Sequence, residues 1–275
     1  MALFVVVLLW HVGVVTGLAG CHGDRDKDDR PRQNCAAAGF REVPEGLTPS
    51  AKVLLFPNNL FPSLTWSSFQ GFTELYEIDL TGNQVPQVPP SAAPVLPTLG
   101  VLRLGSNLLT SLPDRCFSAC PGLIELYLNN NSIPDVTRSH LQRTPPAGAT
   151  KPEERESALL LGDSSLNFQI LELSSNRIQV LPELLLHPLP AIESLYLENN
   201  KILCRQIQVM PDDWFSQKEE VPYLFLSANP WACSCSLGYL HHYVDEYDFN
   251  IYTRSGPLVT NDPDSVLTLV DQLLE

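Results

Sequence analysis

The stretch Leu123 to Ile133 reads L-I-E-L-Y-L-N-N-N-S-I. Its skeleton is L-x-x-L-x-L-x-x-N-x-I, and every position has a physical reading. In an extended segment alternate side chains point to opposite faces. Leu126 and Leu128 therefore point inward, while Glu125, Tyr127 and Asn129 point outward. Asn131 then turns the chain, and its side-chain amide is suited to bond backbone groups of a neighbouring coil that would otherwise be buried unpaired. One such unit cannot bury its own leucines, so it needs a copy above and below.

Copies are present along the chain. The asparagines read as turning residues are Asn58, Asn83, Asn107, Asn131, Asn176, Asn200 and Asn229, with gaps of 25, 24, 24, 45, 24 and 29. In phase with them run strand cores such as Val53-Leu54-Leu55, Ile78-Asp79-Leu80 and Leu195-Tyr196-Leu197. A period of 24 with leucines in register is the signature of a leucine-rich-repeat solenoid. The expected fold is of the α/β horseshoe type, with about seven coils over residues 51–228. One parallel strand per coil should line the concave side. The convex side should be irregular, because returns such as Ser111-Leu112-Pro113 carry prolines that stop long helices. The gap of 45 holds an excess around residues 143–156, R-T-P-P-A-G-A-T-K-P-E-E-R-E. Its proline and charge content predicts a loop, either a binding protrusion or a tolerated insertion.

The chain has 275 residues, with 17 Lys+Arg against 31 Asp+Glu, a formal charge of -14. That charge argues against nucleic acid or an anionic membrane surface as partner and suits a basic protein patch. Residues 1–19 read as a secretory signal, with an apolar centre from Val5 to Val15 and the small-x-small pattern Gly17-Leu18-Ala19. No lysine or arginine precedes the apolar run, which is short for a membrane span, and a densely charged segment follows it. A secreted product with no membrane span is expected. Leu18-Ala19-Gly20-Cys21 also looks like a lipoprotein processing box, but that usually comes with a basic leader and Cys21 has a better use. The seven cysteines of a secreted chain read as a disulfide framework. Cys21 is expected to pair with Cys35 and close an N-terminal cap over residues 20–50, since a first coil must be covered. The run D-R-D-K-D-D-R-P-R would be its solvated tip. Cys116 and Cys120, four apart on a return segment, are either bridged or left as buried thiols, and Cys204 is a buried or unpaired thiol.

After the last repeat, Asn229 to Cys235 reads N-P-W-A-C-S-C, with Leu237, Leu240 and Tyr243 at helical spacing. A helical C-terminal cap over residues 229–265 is expected, with Trp231 packed on the final leucines. This pattern resembles the cysteine-rich caps of animal extracellular leucine-rich-repeat proteins. Within them the chain is most similar to the ligand-binding heads of the platelet glycoprotein Ib alpha family. The two-cysteine N-terminal cap, the run Pro94 to Asn107, and Asn250 to Asp264, which looks like that family's switch loop, carry the likeness. The resemblance implies binding to a von Willebrand factor A1-like domain in platelet adhesion and haemostasis. The cap finger and the switch loop would grip that domain, with Tyr252, Arg254 and Val259 as switch-loop candidates. Two departures stand out. The family's further cap cysteines are absent, so Cys233 and Cys235 lose their usual partners. Residues 266–275 also fall outside the family pattern, and its sulfated-tyrosine stretch, stalk and span are missing. These departures imply a truncated isoform or an imperfect gene model.

No catalytic signature is present: there is no G-x-S-x-G, no H-E-x-x-H and no phosphate-cradling glycine loop. The adjacent pair His241-His242 does not face one ligand, so neither enzyme chemistry, a cofactor nor a metal is expected. The outward strand positions instead predict a ligand-binding concave face of Glu77, Asp79, Arg103, Glu125, Tyr127, Glu172, Tyr196, Glu198, Tyr223 and Phe225. Its tyrosines offer apolar area with a polar tip, and the same register that buries the leucines should expose them as anchors. Its carboxylates would steer a basic protein ligand. Asn130 heads the N-x-[ST] sequon Asn130-Asn131-Ser132 and is the expected glycosylation site. Tyr247, in an acidic context, is read as cap packing rather than as a sulfation site. The expected function is extracellular protein binding or adhesion. The competing readings are a matrix or innate-immunity scaffold that binds sugars or pathogen molecules, and a truncated product that binds nothing.

Overall fold

Three residues per coil are enough for a strand here, because each strand needs only one inward side chain. The computed structural model describes residues 19–136, 168–179, 191–202, 222–230 and 244–266. The N-terminal cap is an antiparallel hairpin of β1 (His22–Arg25) and β2 (Pro31–Asn34). Seven strands then join it in chain order, all parallel: β3 (Val53–Leu55), β4 (Glu77–Asp79), β5 (Val101–Arg103), β6 (Glu125–Tyr127), β7 (Ile170–Glu172), β8 (Ser194–Tyr196) and β9 (Tyr223–Phe225). The chain is thus a leucine-rich-repeat solenoid closed at its N-terminus by a disulfide cap. A separate hairpin, β10 (Tyr252–Ser255) and β11 (Leu258–Asn261), follows the last coil.

The middle residue of each parallel strand points into the core. Leu54, Ile78, Leu102, Leu126, Leu171, Leu195 and Leu224 stack in register from coil to coil and are buried. The next inward row is Phe56, Leu80, Leu104, Leu128, Leu173, Leu197 and Leu226, also buried. Each such side chain contributes roughly 1.5–3 kcal/mol of hydrophobic stabilisation, but only when a neighbouring coil covers it.

Between coils the polar counterpart of this core is an asparagine ladder. Asn107 donates from Nδ2 to the carbonyl of Leu80 in the preceding coil (2.9 Å) and to Leu104 in its own (3.1 Å), while its Oδ1 accepts from the N–H of Val85 (3.0 Å). Asn83, Asn131, Asn176, Asn200 and Asn229 repeat the pattern. The first rung corrects the expectation from sequence. It is Asn59, not Asn58, whose Nδ2 reaches the carbonyl of Cys35 (2.9 Å) and whose Oδ1 accepts from Ala38 and Phe40. Register explains the shift. Every rung lies five residues after its inward strand leucine or isoleucine, and Leu54 plus five is Asn59. Asn58 instead takes the left-handed backbone position (φ 56°), equivalent to Asn130 and Asn199 in later coils.

Cys21 and Cys35 are joined, with an S–S distance of 2.03 Å. The charged segment between them is a folded tip. Arg32 grips Asp24 through two hydrogen bonds (2.7 and 2.6 Å), and Arg30 pairs with Asp28 (3.0 Å) while lying 3.8 Å over the Tyr76 ring. Asp26 accepts from the N–H groups of Asp28 and Arg30. Burial works to raise its pKa, but these bonds hold it below the ordinary carboxylate range. On the convex side a 3-10 turn, Trp66–Phe69, inserts two aromatic rings into the core, and the Trp66 indole N–H donates to the Pro89 carbonyl (2.8 Å). Cys116 and Cys120 lie on successive three-residue turns, and both are buried thiols whose pKa burial pushes up. The segment up to residue 18 read as a secretory signal, the expected 143–156 insertion, Cys204, Trp231, Cys233, Cys235, Leu237, Leu240, His241, His242, Tyr243 and residues 267–275 lie outside the described residues. Val266, at the junction with that tail, is buried in the core.

The ladder makes a paired prediction. Asn59→Ala leaves the Cys35 carbonyl and two N–H groups unpaired, so it should lower the unfolding free energy by about 1–3 kcal/mol. Asn58→Gly keeps the left-handed backbone and should change it by less than about 0.5 kcal/mol. Urea denaturation of both variants checks this, and equal losses would contradict the assignment of the rung.

Candidate functional site

Register places the outward residues in two rows. One runs Arg32, Val53, Glu77, Val101, Glu125, Ile170, Ser194, Tyr223, and the other Asn34, Leu55, Asp79, Arg103, Tyr127, Glu172, Tyr196, Phe225. Nine of the ten residues read from sequence as the concave face fall on these rows, and the tenth, Glu198, follows β8. What the rows do chemically differs between the two halves.

In the N-terminal half the charges are matched locally. Arg103 donates from Nε to Glu77 Oε1 (2.8 Å), lies 3.7 Å from Glu125 Oε2, and stacks over the Tyr127 ring at 4.0 Å. The Tyr127 hydroxyl donates to the same Glu125 oxygen (2.7 Å), and burial together with that bond pushes its pKa up to about 12. Asp79 accepts from the Thr81 N–H (2.8 Å). These side chains form a pre-organised patch: the guanidinium is already half desolvated, and its position is set by two carboxylates and a ring.

In the C-terminal half the expectation of an exposed aromatic cluster is corrected. Tyr196 and Phe225 stack at 4.2 Å between ring centroids, but Phe225 is only 4% exposed. Glu172 and Glu198, expected at the surface, are 3% and 9% exposed. The cover is β10, which packs against β9. Its Arg254 guanidinium sits 4.4 Å over the Tyr196 ring and 3.1 Å from Glu172 Oε2, and its backbone N–H donates to Glu198 Oε1 (3.1 Å). Tyr252, two residues earlier and so on the same face of the strand, lies 5.5 Å from Tyr223 and 5.8 Å from Phe225. Of the face's predicted aromatics, Tyr223 is the one that stays well exposed, at 49%.

The switch-loop candidates thus lie on an ordered hairpin. Gly256 provides the left-handed backbone (φ 59°) at its turn, a conformation that favours glycine. Leu258 and Val259 of β11 are 61% and 48% exposed. Sequence reasoning missed Arg32 as a member of the face and missed the target of Arg254, which it named only as a switch-loop candidate. Arg32 entered it through the cap strand, and its register against Val53 was readable from the first repeat. Arg254 entered from a segment with no repeat signal, and no local pattern pointed to its target. Asn130 is exposed, with its Nδ2 donating to Ser106 Oγ of the previous coil (2.9 Å). Among the described residues no group of three or more His, Cys, Asp or Glu is placed to hold a metal ion, and no helix is long and apolar enough to cross a membrane.

A family profile described as leucine rich repeat matches residues 97–145. A comparison with curated proteins found no match. Among matching solved structures is human 5T4, also named Wnt-activated inhibitory factor 1 and trophoblast glycoprotein. It is 24% identical with a TM-score of 0.55, over 85% of this chain and 88% of that one. That likeness is one of fold, and it agrees with the ladder and the parallel sheet.

Glu198 has the most unusual carboxyl of the face. Burial raises its pKa above the ordinary value, and the Arg254 charge and N–H only partly offset this. A folded-state pKa above the unfolded one contributes stability that is fully present below the unfolded value and is lost as pH rises through the folded value. Glu198→Gln removes the ionisation and keeps the acceptor. It should therefore raise the melting temperature near pH 7, with the gain disappearing below about pH 4. A melting difference that is the same at both pH values would contradict the burial argument.

Proposed function

We propose that this chain is an extracellular protein-recognition module, without catalysis, that receives a basic protein domain on its concave face and C-terminal hairpin. The observation that carries the reading is the surface next to β9. Exposed Tyr223, Leu258 and Val259 stand on ordered strands at the end of a sheet whose outward rows carry Glu77, Asp79, Glu125 and Glu172 against Arg32 and Arg103, on a chain of formal charge -14. Apolar anchors supply affinity, and the chain's net negative charge steers an oppositely charged partner. The Cys21–Cys35 bridge supports an oxidising, extracellular setting, as does the secretory signal expected from sequence. A glycan on exposed Asn130 would keep a partner off the middle coils and direct it to the ends.

The resemblance stated above makes the von Willebrand factor A1 domain the first partner to try. Surface plasmon resonance with the A1 domain should give micromolar or tighter binding at low salt. Raising the salt from about 50 to about 300 mM should weaken it roughly tenfold. Tyr223→Ala, at an exposed anchor, should weaken it by about tenfold or more. No binding by well-folded material at low salt would sink this partner. Capture on a glycan array instead would transfer the face to a sugar-binding scaffold.

A further inference from the structure

The C-terminal concave face is covered by one side chain from β10. Glu172 and Glu198 lie buried on neighbouring coils, with the Tyr196 and Phe225 rings stacked beside them. Seated among them is one guanidinium, that of Arg254, ion-paired to Glu172 at 3.1 Å and lying 4.4 and 5.5 Å from the two ring centroids. A carboxylate for the fork and a ring for the flat face are the two features that distinguish arginine recognition from lysine recognition. The socket is built without Arg254. Glu172 Oε1 is held by the Ser174 N–H (2.9 Å), and Glu198 is within 3.4 Å of Ser174 Oγ and 3.5 Å of Ser227 Oγ, so both carboxylates have supports of their own.

The element that delivers Arg254 is anchored at its base, where the Asp262 N–H donates to the Ile251 carbonyl (3.0 Å) and Val266 is buried. Ile251 bridges to Leu224 and is buried, while Ser255 to Asn261 are all exposed. Tyr252 and Arg254 are the residues through which β10 meets the concave rings. A segment with few buried contacts opens more readily than the sheet it covers.

We propose that the β10–β11 hairpin is a self-occupying strap: Arg254 fills in cis a socket in which Glu172, Tyr196 and Phe225 hold the guanidinium and Glu198 accepts the arginine's backbone N–H, and which takes an arginine of a partner protein when the hairpin lifts. The proposal rests on the protein-recognition reading above and names the side chain that the face accepts. Occupancy in cis lowers the fraction of competent molecules, and with it the apparent affinity, until the strap is displaced.

The test uses the full chain and N-acetyl-arginine amide as probe, followed by NMR titration. Arg254→Ala should bind the probe saturably, at least about tenfold tighter than wild type and tighter than it binds N-acetyl-lysine amide. Adding Glu172→Gln should abolish the gain. Binding by Arg254→Ala no tighter than wild type overturns the strap. Arg254→Lys keeps a cation on the strap and guards against loss of folding. It should show a smaller gain of about threefold, and equality with wild type would again overturn the proposal. Arginine capture by Arg254→Ala with no protein partner for the intact chain would refute the recognition reading and leave the strap standing. Partner binding with no arginine capture would refute the strap alone.

Discussion

The asparagine ladder is the constraint on which the rest of the structure depends. Each coil turns immediately after its strand, and the turn leaves backbone carbonyls and N–H groups inside the stack where water cannot reach them. A buried unpaired group costs about 1–3 kcal/mol, and seven coils would multiply that cost. One asparagine per coil answers it, because a carboxamide can donate twice and accept at the same time. Its donors hold the carbonyls of Leu80 and Leu104 while its oxygen holds the N–H of Val85 in the case of Asn107. No carboxylate or hydroxyl has that combination.

Surface chemistry follows from this core. Once the rungs hold the coils in register, the two outward residues of each strand have no freedom in where they appear. Glu77, Arg103 and Glu125 meet because their strands are adjacent and in phase, and so do Glu172, Tyr196 and Phe225. The two halves then diverge. In the first, a guanidinium from within the sheet neutralises its neighbours and stacks on Tyr127. In the second the sheet supplies no cation, and the hairpin beyond the last coil brings Arg254 instead. Both solutions pair a guanidinium with a carboxylate and an aromatic ring.

Much of this was legible in the sequence, for a physical reason. Leucine spacing and asparagine spacing are independent signals of one geometry, so the inward rows, the parallel sheet and the Cys21–Cys35 cap could be read directly. The first rung was misread because Asn58 and Asn59 are adjacent. Counting from Leu54 rather than from the asparagine itself would have found it. Nine of the ten outward residues fall on the two rows of the sheet, but their exposure was not predictable from the repeat. Burial of Phe225, Glu172 and Glu198 is imposed by Arg254 and Tyr252, which lie outside any period and reach the face only after the chain has folded back. Repeat patterns report what a coil owes to its neighbours, and they are silent about what the caps lay across them.

Amide hydrogen exchange tests the central claim most directly, namely that the ladder holds the register that creates the face. The N–H groups donated to rung oxygens belong to Phe61, Val85, Leu109, Ile133, Ile178 and Ile202. These should exchange as slowly as the central strand amides, through global unfolding alone. If they exchange as fast as amides of the convex returns, the rungs are not holding the coils together.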